Sequence, residues 1–206
     1  MRLALDHVIL AVPDLGEAAR ALEGLLGLRA TPGGRHPGLG TRNALVPVGG
    51  AYLELVAVDD DEVAASTAFG RSALAARTEG PRFAGWVART DDLEGAGPVS
   101  ALSRQTPDGG TVTWRMAATE RLGDGGVLPA LLTWDDESSA PPFADAHHPV
   151  GRVLLDSVEI GDPDGELEAL PAVARLRVEP DEPRGIRCVR LIAGGRELIV
   201  TPAVVH

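Results

Sequence analysis

Apolar positions fall into short runs separated by glycine and proline, and the period of the runs changes along the chain. Residues 3–12 read as a strand that runs into "DLGEAARALEGLL". There Leu15, Ala18, Ala19, Leu22, Leu25 and Leu26 share one stripe, which predicts a helix over 14–26. Asp14 stands at its N-cap, Glu17 in the capping-box position and Gly27 just past its end. A short strand near 28–31 is expected next, followed by a loop over "PGGRHPGLG". "TRNALVPV" and "AYLELVAV" read as two strands joined at Gly49-Gly50, a two-residue hairpin signal. The order is β-α-β-β-β.

The opening phrase recurs. "LDHVILAVPDL" (5–15) returns as "LDSVEIGDPDG" (155–165), with Ser157 in place of His7, and "FAGWVARTDDL" (83–93) repeats the pattern at an offset of 78 residues. The chain therefore divides into a first module (1–60), a connecting helix (61–80), a second module (81–136), a proline-rich linker or lid (137–151) and a third, degenerate module (152–206). Residues 61–79 look helical, with Gly70 weakening the middle, whereas Gly95, Gly97 and Pro98 leave the second module's helix barely a turn. The expected fold is α+β, with curved, mostly antiparallel sheets closing around a ligand cavity and helix 14–26 outside.

Composition narrows the chemistry. The net charge of −11 argues against nucleic acid or an anionic membrane surface as a partner. No run approaches the ~18 apolar residues of a membrane helix. All 19 basic residues are arginine, which excludes Schiff-base lysine chemistry and the P-loop lysine. Cys188 is alone, in the apolar strand "IRCVRLI", so a buried thiol in a cytoplasmic protein is expected.

"LDHVILAVPDL" with its helix and "GGRHPGLGTRNALVPVGGAYLELVAV" resemble the first module of the vicinal oxygen chelate superfamily, among its glyoxalase-like domain proteins. "GWVARTDDL", "SRQTPDGGTVTWRM" and "LLTWDD" resemble the second half. The resemblance implies a histidine from a module's first strand and a glutamate from its last, both facing the cup and binding a divalent metal. His7 and Glu54 match those positions, with donor types suited to Zn²⁺, Fe²⁺, Mn²⁺ or Ni²⁺. The counterparts in the later copies are Gly85 and Thr133, then Ser157 and Ile199. Two ligands stand where three or four are needed, so completion by His36, His147, His148 or a second subunit stands beside a metal-free site.

Strand parity places His7 with Leu3, Leu5 and Ile9, and Glu54 with Tyr52 and Val56. His36 in its loop and Asn43 on its strand are candidate ligand contacts, with Tyr52 on the same wall. Trp86, Trp114 and Trp134, all in the second module of a chain with seven aromatic residues, suggest a flat apolar wall. His7 and Glu54 are the candidate catalytic pair. Two functions follow: a lyase, isomerase or dioxygenase acting on a small oxygen-rich metabolite, or a non-catalytic binder of planar molecules akin to bleomycin resistance proteins. Three modules leave one without an internal partner, so a homodimer is expected.

Overall fold

The computed structural model of the protein describes residues 2–106, 109–123, 125–135 and 147–206. The first module holds β1 (Leu3–Ala11), α1 (Leu15–Leu26), β2 (Thr31–His36), β3 (Thr41–Pro47) and β4 (Tyr52–Val58). Two helices follow, α2 (Asp61–Ser66) and α3 (Ala68–Glu79). The chain breaks at Thr67 rather than at Gly70, because the Thr67 hydroxyl accepts from Gly70 N and starts a new helix. The second module holds β5 (Arg82–Thr90), β6 (Val99–Gln105), β7 (Thr111–Ala117) and β8 (Ala130–Trp134), with a 3₁₀ turn at Glu94–Ala96 where the first has α1.

These eight strands close into a barrel in the order β1-β4-β3-β2-β6-β7-β8-β5. In each module the first and last strands run parallel, β1 beside β4 and β5 beside β8, and the remaining pairs are antiparallel. The modules meet antiparallel along β1 and β5, and at the opposite seam through Arg35 across from Gln105. This is the α+β cup that the repeats predict. Helix α1 lies outside it: Asp14 accepts from Glu17 N, Gly27 closes the far end, and Ala18 and Leu22 join Val46, Leu53 and Leu55 in the outer core.

The strand expected near 28–31 instead begins at Thr31 and takes in the first half of the stretch expected as a loop, 32–36, as β2, while Pro37–Leu39 forms a 3₁₀ turn. The β2 glycines are there for close approach. A Cβ on Gly33 would overlap Asn43 Oδ1, and one on Gly34 would overlap Gln105 O and stand 2.7 Å from Arg104 Cγ. The bare β2 backbone is the floor on which two cavity side chains lie.

Strands β9 (Val153–Gly161), β10 (Leu176–Glu179), β11 (Gly185–Ala193) and β12 (Arg196–Val200) form a separate sheet in the order β10-β9-β11-β12. Its first strand pairs parallel with its second and antiparallel with its third, unlike the barrel modules. Val158, Ile160, Val189, Leu191 and Val200 pack into the same outer core as the barrel. That packing sets the third module against the barrel within one chain. Of the expected linker, 137–146 lies outside the described residues. His148 beyond it is a buried staple, its Nδ1 accepting from Arg29 N (2.9 Å) and its Nε2 donating to Pro47 O (2.7 Å). Among the described residues no helix is long and apolar enough to cross a membrane.

Candidate functional site

The site begins with an irregularity in β1. Against β5, Leu5 pairs with Ala88 and His7 with Val87, so Asp6 is the extra residue of a β-bulge. The bulge resets the parity of the strand. Leu3 and Leu5 belong to the outer core with Val8 and Leu10, whereas His7 and Ile9 line the cavity. The strict alternation that grouped His7 with Leu3 and Leu5 is corrected on that ground. The bulge also delivers a residue that the sequence reading missed. Asp6 would face away from His7 in a regular strand, but its Oδ1 lies 2.7 Å from His7 Nδ1.

Asp6 is 0% exposed, and its charge is matched on several sides. Oδ2 faces Arg89 Nε at 3.0 Å and accepts from Trp134 Nε1 at 3.2 Å, and the Tyr52 hydroxyl also hydrogen-bonds the carboxylate. A carboxylate at Nδ1 makes that nitrogen a donor and turns Nε2 toward the other side. There Nε2 lies 3.4 Å from Glu54 Oε2. Asn43 Nδ2 donates to Glu54 Oε1 at 2.5 Å, and Tyr52 stacks on the His7 ring at 4.5 Å and 19°. The result is an imidazole held between two carboxylates, each fixed by its own partners. Burial first, then the charges of Asp6 and Glu54, hold the Tyr52 phenol well above its ordinary pKa.

The array forms one wall of a cavity of about 420 Å³ inside the barrel. His36, Arg104, Trp114, Met116 and Trp134 line it, and Phe69 at the start of α3 and Leu122 after β7 reach over it. His36 Nδ1 lies 3.1 Å from Thr41 Oγ1, and its ring meets Trp114 edge-on at 6.1 Å. Burial, with Arg104 and His7 as neighbours, pushes the His36 pKa down against the pull of Glu54. Trp114 and Trp134 contact each other at 5.6 Å. The structure thus brings together His7, His36, Asn43, Tyr52, Glu54, Trp114 and Trp134 in one cavity. Trp86 does not join them, being wholly buried in the outer core with Nε1 donating to Val127 O.

The register also locates the second-module counterparts. Ile9 pairs with Glu54, and Val87, which is Ile9 advanced by one repeat, pairs with Ala130. The counterpart of Glu54 is therefore Ala130, not Thr133, whose hydroxyl instead donates to Thr90 O. The counterpart of His7 is Gly85, at a φ of 139° that favours glycine. Neither supplies a donor, and among the described residues no group of three His, Cys, Asp or Glu side chains is arranged to hold a metal ion. Asp6 is already occupied by Arg89. The donor set does not fit a divalent ion. Cys188 lies in the separate sheet, where burial and a hydrogen bond to Glu159 push its thiol up to about 12.

Residues 5–173 match the glyoxalase-like domain family. No curated protein matches the chain. Among solved structures, a hypothetical protein from Staphylococcus aureus is similar at 17% identity and a TM-score of 0.62, over 96% of this chain and 84% of that one. A methylmalonyl-CoA epimerase from Mycobacterium tuberculosis aligns at 24% identity and a TM-score of 0.45, over 66% of this chain and 91% of its own. The Streptomyces coelicolor epimerase in complex with 2-nitronate-propionyl-CoA aligns at 19% and 0.46, over 66% and 100%. With its paired βαβββ modules closed around a cavity and the family match running through both, the chain belongs to the glyoxalase-like domain family, on the vicinal oxygen chelate fold.

Proposed function

We propose that the barrel cavity binds a small oxygen-bearing metabolite and that His7 and Glu54 move a proton on one of its carbons, as in a lyase or isomerase. The observation that carries this is the buried Asp6–His7–Glu54 array on the cavity wall. Asp6 fixes the ring and its tautomer, so Nε2 faces the cavity side beside Glu54. His7 Nε2 takes the proton from a carbon next to a carbonyl, and that same proton, kept on Nε2 or passed across 3.4 Å to the Glu54 carboxylate, is returned to the enolate. The neutral His36 and Asn43 line the same cavity, and the Trp114–Trp134 pair adds apolar surface to it. Two protein donors, His7 and Glu54, are too few to hold a divalent ion, so the proposed proton transfer runs through side chains alone and does not extend to metal-dependent dioxygenase chemistry.

The second reading is a non-catalytic binder of planar molecules, favoured by the Trp114–Trp134 pair with the His36 edge beside it. Proton exchange at carbon separates the two. In D₂O the intact protein should speed deuterium uptake at the benzylic carbon of phenylacetone or phenylpyruvate, followed by NMR. His7→Gln should abolish that acceleration while leaving the melting profile near that of the wild type. Ligand binding with no accelerated exchange would replace the proposal with the binding-only reading.

A further inference from the structure

The proton-transfer array leaves one feature of the cavity unexplained. Arg104, on β6, is only 8% exposed and lines the cavity, yet among the described residues no hydrogen bond or ion pair reaches its guanidinium. Trp114 Nε1, on the neighbouring strand and lining the same cavity, is also buried without an acceptor among the described residues. A buried cation and a buried N–H donor on residues that line one cavity, both without a partner among the described residues, are costly to keep unless something completes them. The other cations near the cavity are spoken for: Arg89 is paired with Asp6, and Arg35 with Asp59.

Resting on the proposed function, we infer that the ligand is a small monocarboxylate, its carboxylate held by Arg104 with Trp114 Nε1 as the second donor. The fork of a guanidinium matches the two oxygens of a carboxylate, and a charge-assisted pair is strongest where water is excluded. The stem of Arg104 is held for this task, since it lies against the backbone of Gly34, where any side chain would displace it. Leu102, Met116, Phe69 and Leu132 suit an apolar body, and the further charge in the lining besides the His7 array, Glu120, is negative and disfavours a second anionic group. The ligand would therefore carry its anionic end to the second module and its reactive carbon to His7 in the first. The pattern disfavours a phosphate, whose second charge would have only the one open cation.

Calorimetry on the intact protein with phenylpyruvate, its neutral analogue phenylacetone, and phenyl phosphate tests this. Phenylpyruvate should bind most tightly. Arg104→Gln should weaken it by about tenfold to a hundredfold and leave phenylacetone unchanged. Trp114→Phe should weaken phenylpyruvate by a smaller factor. Without ligand, Arg104→Met, which keeps a stem against Gly34, should melt above the wild type, because it removes an unpaired buried charge. Equal binding of phenylacetone, tighter binding of phenyl phosphate, absence of any binding, or a lower melting temperature for Arg104→Met would each overturn the assignment. The two proposals fail separately. His7→Gln should keep phenylpyruvate affinity within about twofold while losing exchange, whereas exchange persisting in His7→Gln beside lost binding in Arg104→Gln would refute only the role of His7.

Discussion

Replacing Asp6 by Asn changes one atom of a fully buried side chain and separates the two functions of the bulge. Asp6 accepts from His7 Nδ1 and Trp134 Nε1 and faces Arg89 at 3.0 Å. An amide nitrogen in place of one oxygen meets either the donors on one side or the imidazole on the other. Arg89 and Trp134 both present N–H groups on the Oδ2 side, so the nitrogen takes the Oδ1 side against His7. Nδ1 must then become an acceptor, the proton moves to Nε2, and the nitrogen beside Glu54 is no longer a base. The stability loss follows from the Arg89 pair. Removing one partner of a buried ion pair costs ~3–5 kcal/mol. The Arg89 side chain is 36% exposed, so water screens and solvates the guanidinium left behind, and a loss of ~2–3 kcal/mol is the better figure. For a chain of this size that lowers the melting temperature by about 4–12 °C. Urea unfolding reads the stability loss, and deuterium exchange on phenylpyruvate reads the tautomer, with exchange expected to fall at least as far as in His7→Gln. Wild-type exchange in a folded Asp6→Asn protein would refute the claim that Asp6 sets the tautomer. A stability loss under about 0.5 kcal/mol would refute the claim that it is a buried pair.

Two further outcomes follow from the shifted groups. His36 is held neutral with its pKa below the ordinary 6.5, so the unfolded chain takes up a proton that the folded one refuses as pH falls below that value. Stability from His36 is therefore intact above pH 6.5 and is lost on acidification, at up to about 1.4 kcal/mol per pH unit. Between about pH 7.5 and 5.5 the urea midpoint should fall further for the wild type than for His36→Gln, and parallel pH profiles would contradict it. Cys188, buried with its thiol at about 12, should resist iodoacetamide in the folded protein near pH 8 and react once urea unfolds it. Labelling of the native protein at the rate of a free thiol would show that burial does not protect it.

What the sequence makes legible is whatever depends on period and punctuation. The α1 helix, its Asp14 and Gly27 ends, the Gly49-Gly50 hairpin and every barrel strand but β2 carry such signals, and the structure has them in place. The α1 stripe is narrower than its period suggests: Ala18 and Leu22 are buried, whereas Leu25 is 69% exposed. What it hides depends on departures from period. The bulge at Asp6 leaves no mark in composition, yet it decides which residues of β1 share a face with His7. The strand β2 was hidden because its glycines, which read as a loop, are there to let Asn43 and Arg104 approach. Trp86 could be told from Trp114 and Trp134 only by the face of its strand. Arg104 gave no signal, being one of many arginines until the fold buried it without a partner among the described residues.

The bulge is also what the three copies share. In β1 it falls at Asp6, in β5 at Ala84 and in β9 at Asp156, positions related by the repeat offsets. The third copy keeps even the local bond, with Ser157 Oγ donating to Asp156 Oδ2 at 2.9 Å where His7 meets Asp6. Repetition therefore preserved the kink that turns two consecutive side chains to one side, while only the first copy put an acid and an imidazole on it. In β5 the kink carries Ala84 and Gly85, and the backbone of Gly85 has a φ of 139° with Leu122 Cδ2 only 3.1 Å from where a Cβ would stand. A histidine restored there would be strained by about 1–3 kcal/mol and would press on a residue that covers the cavity. Gly85→His should thus unfold at lower urea, weaken phenylpyruvate binding and gain no stoichiometric Zn²⁺ by dialysis and metal analysis. A stable variant that takes up one Zn²⁺ per chain would show instead that one imidazole from the second module completes a metal site with His7 and Glu54, and that the donor set was short by that ligand alone.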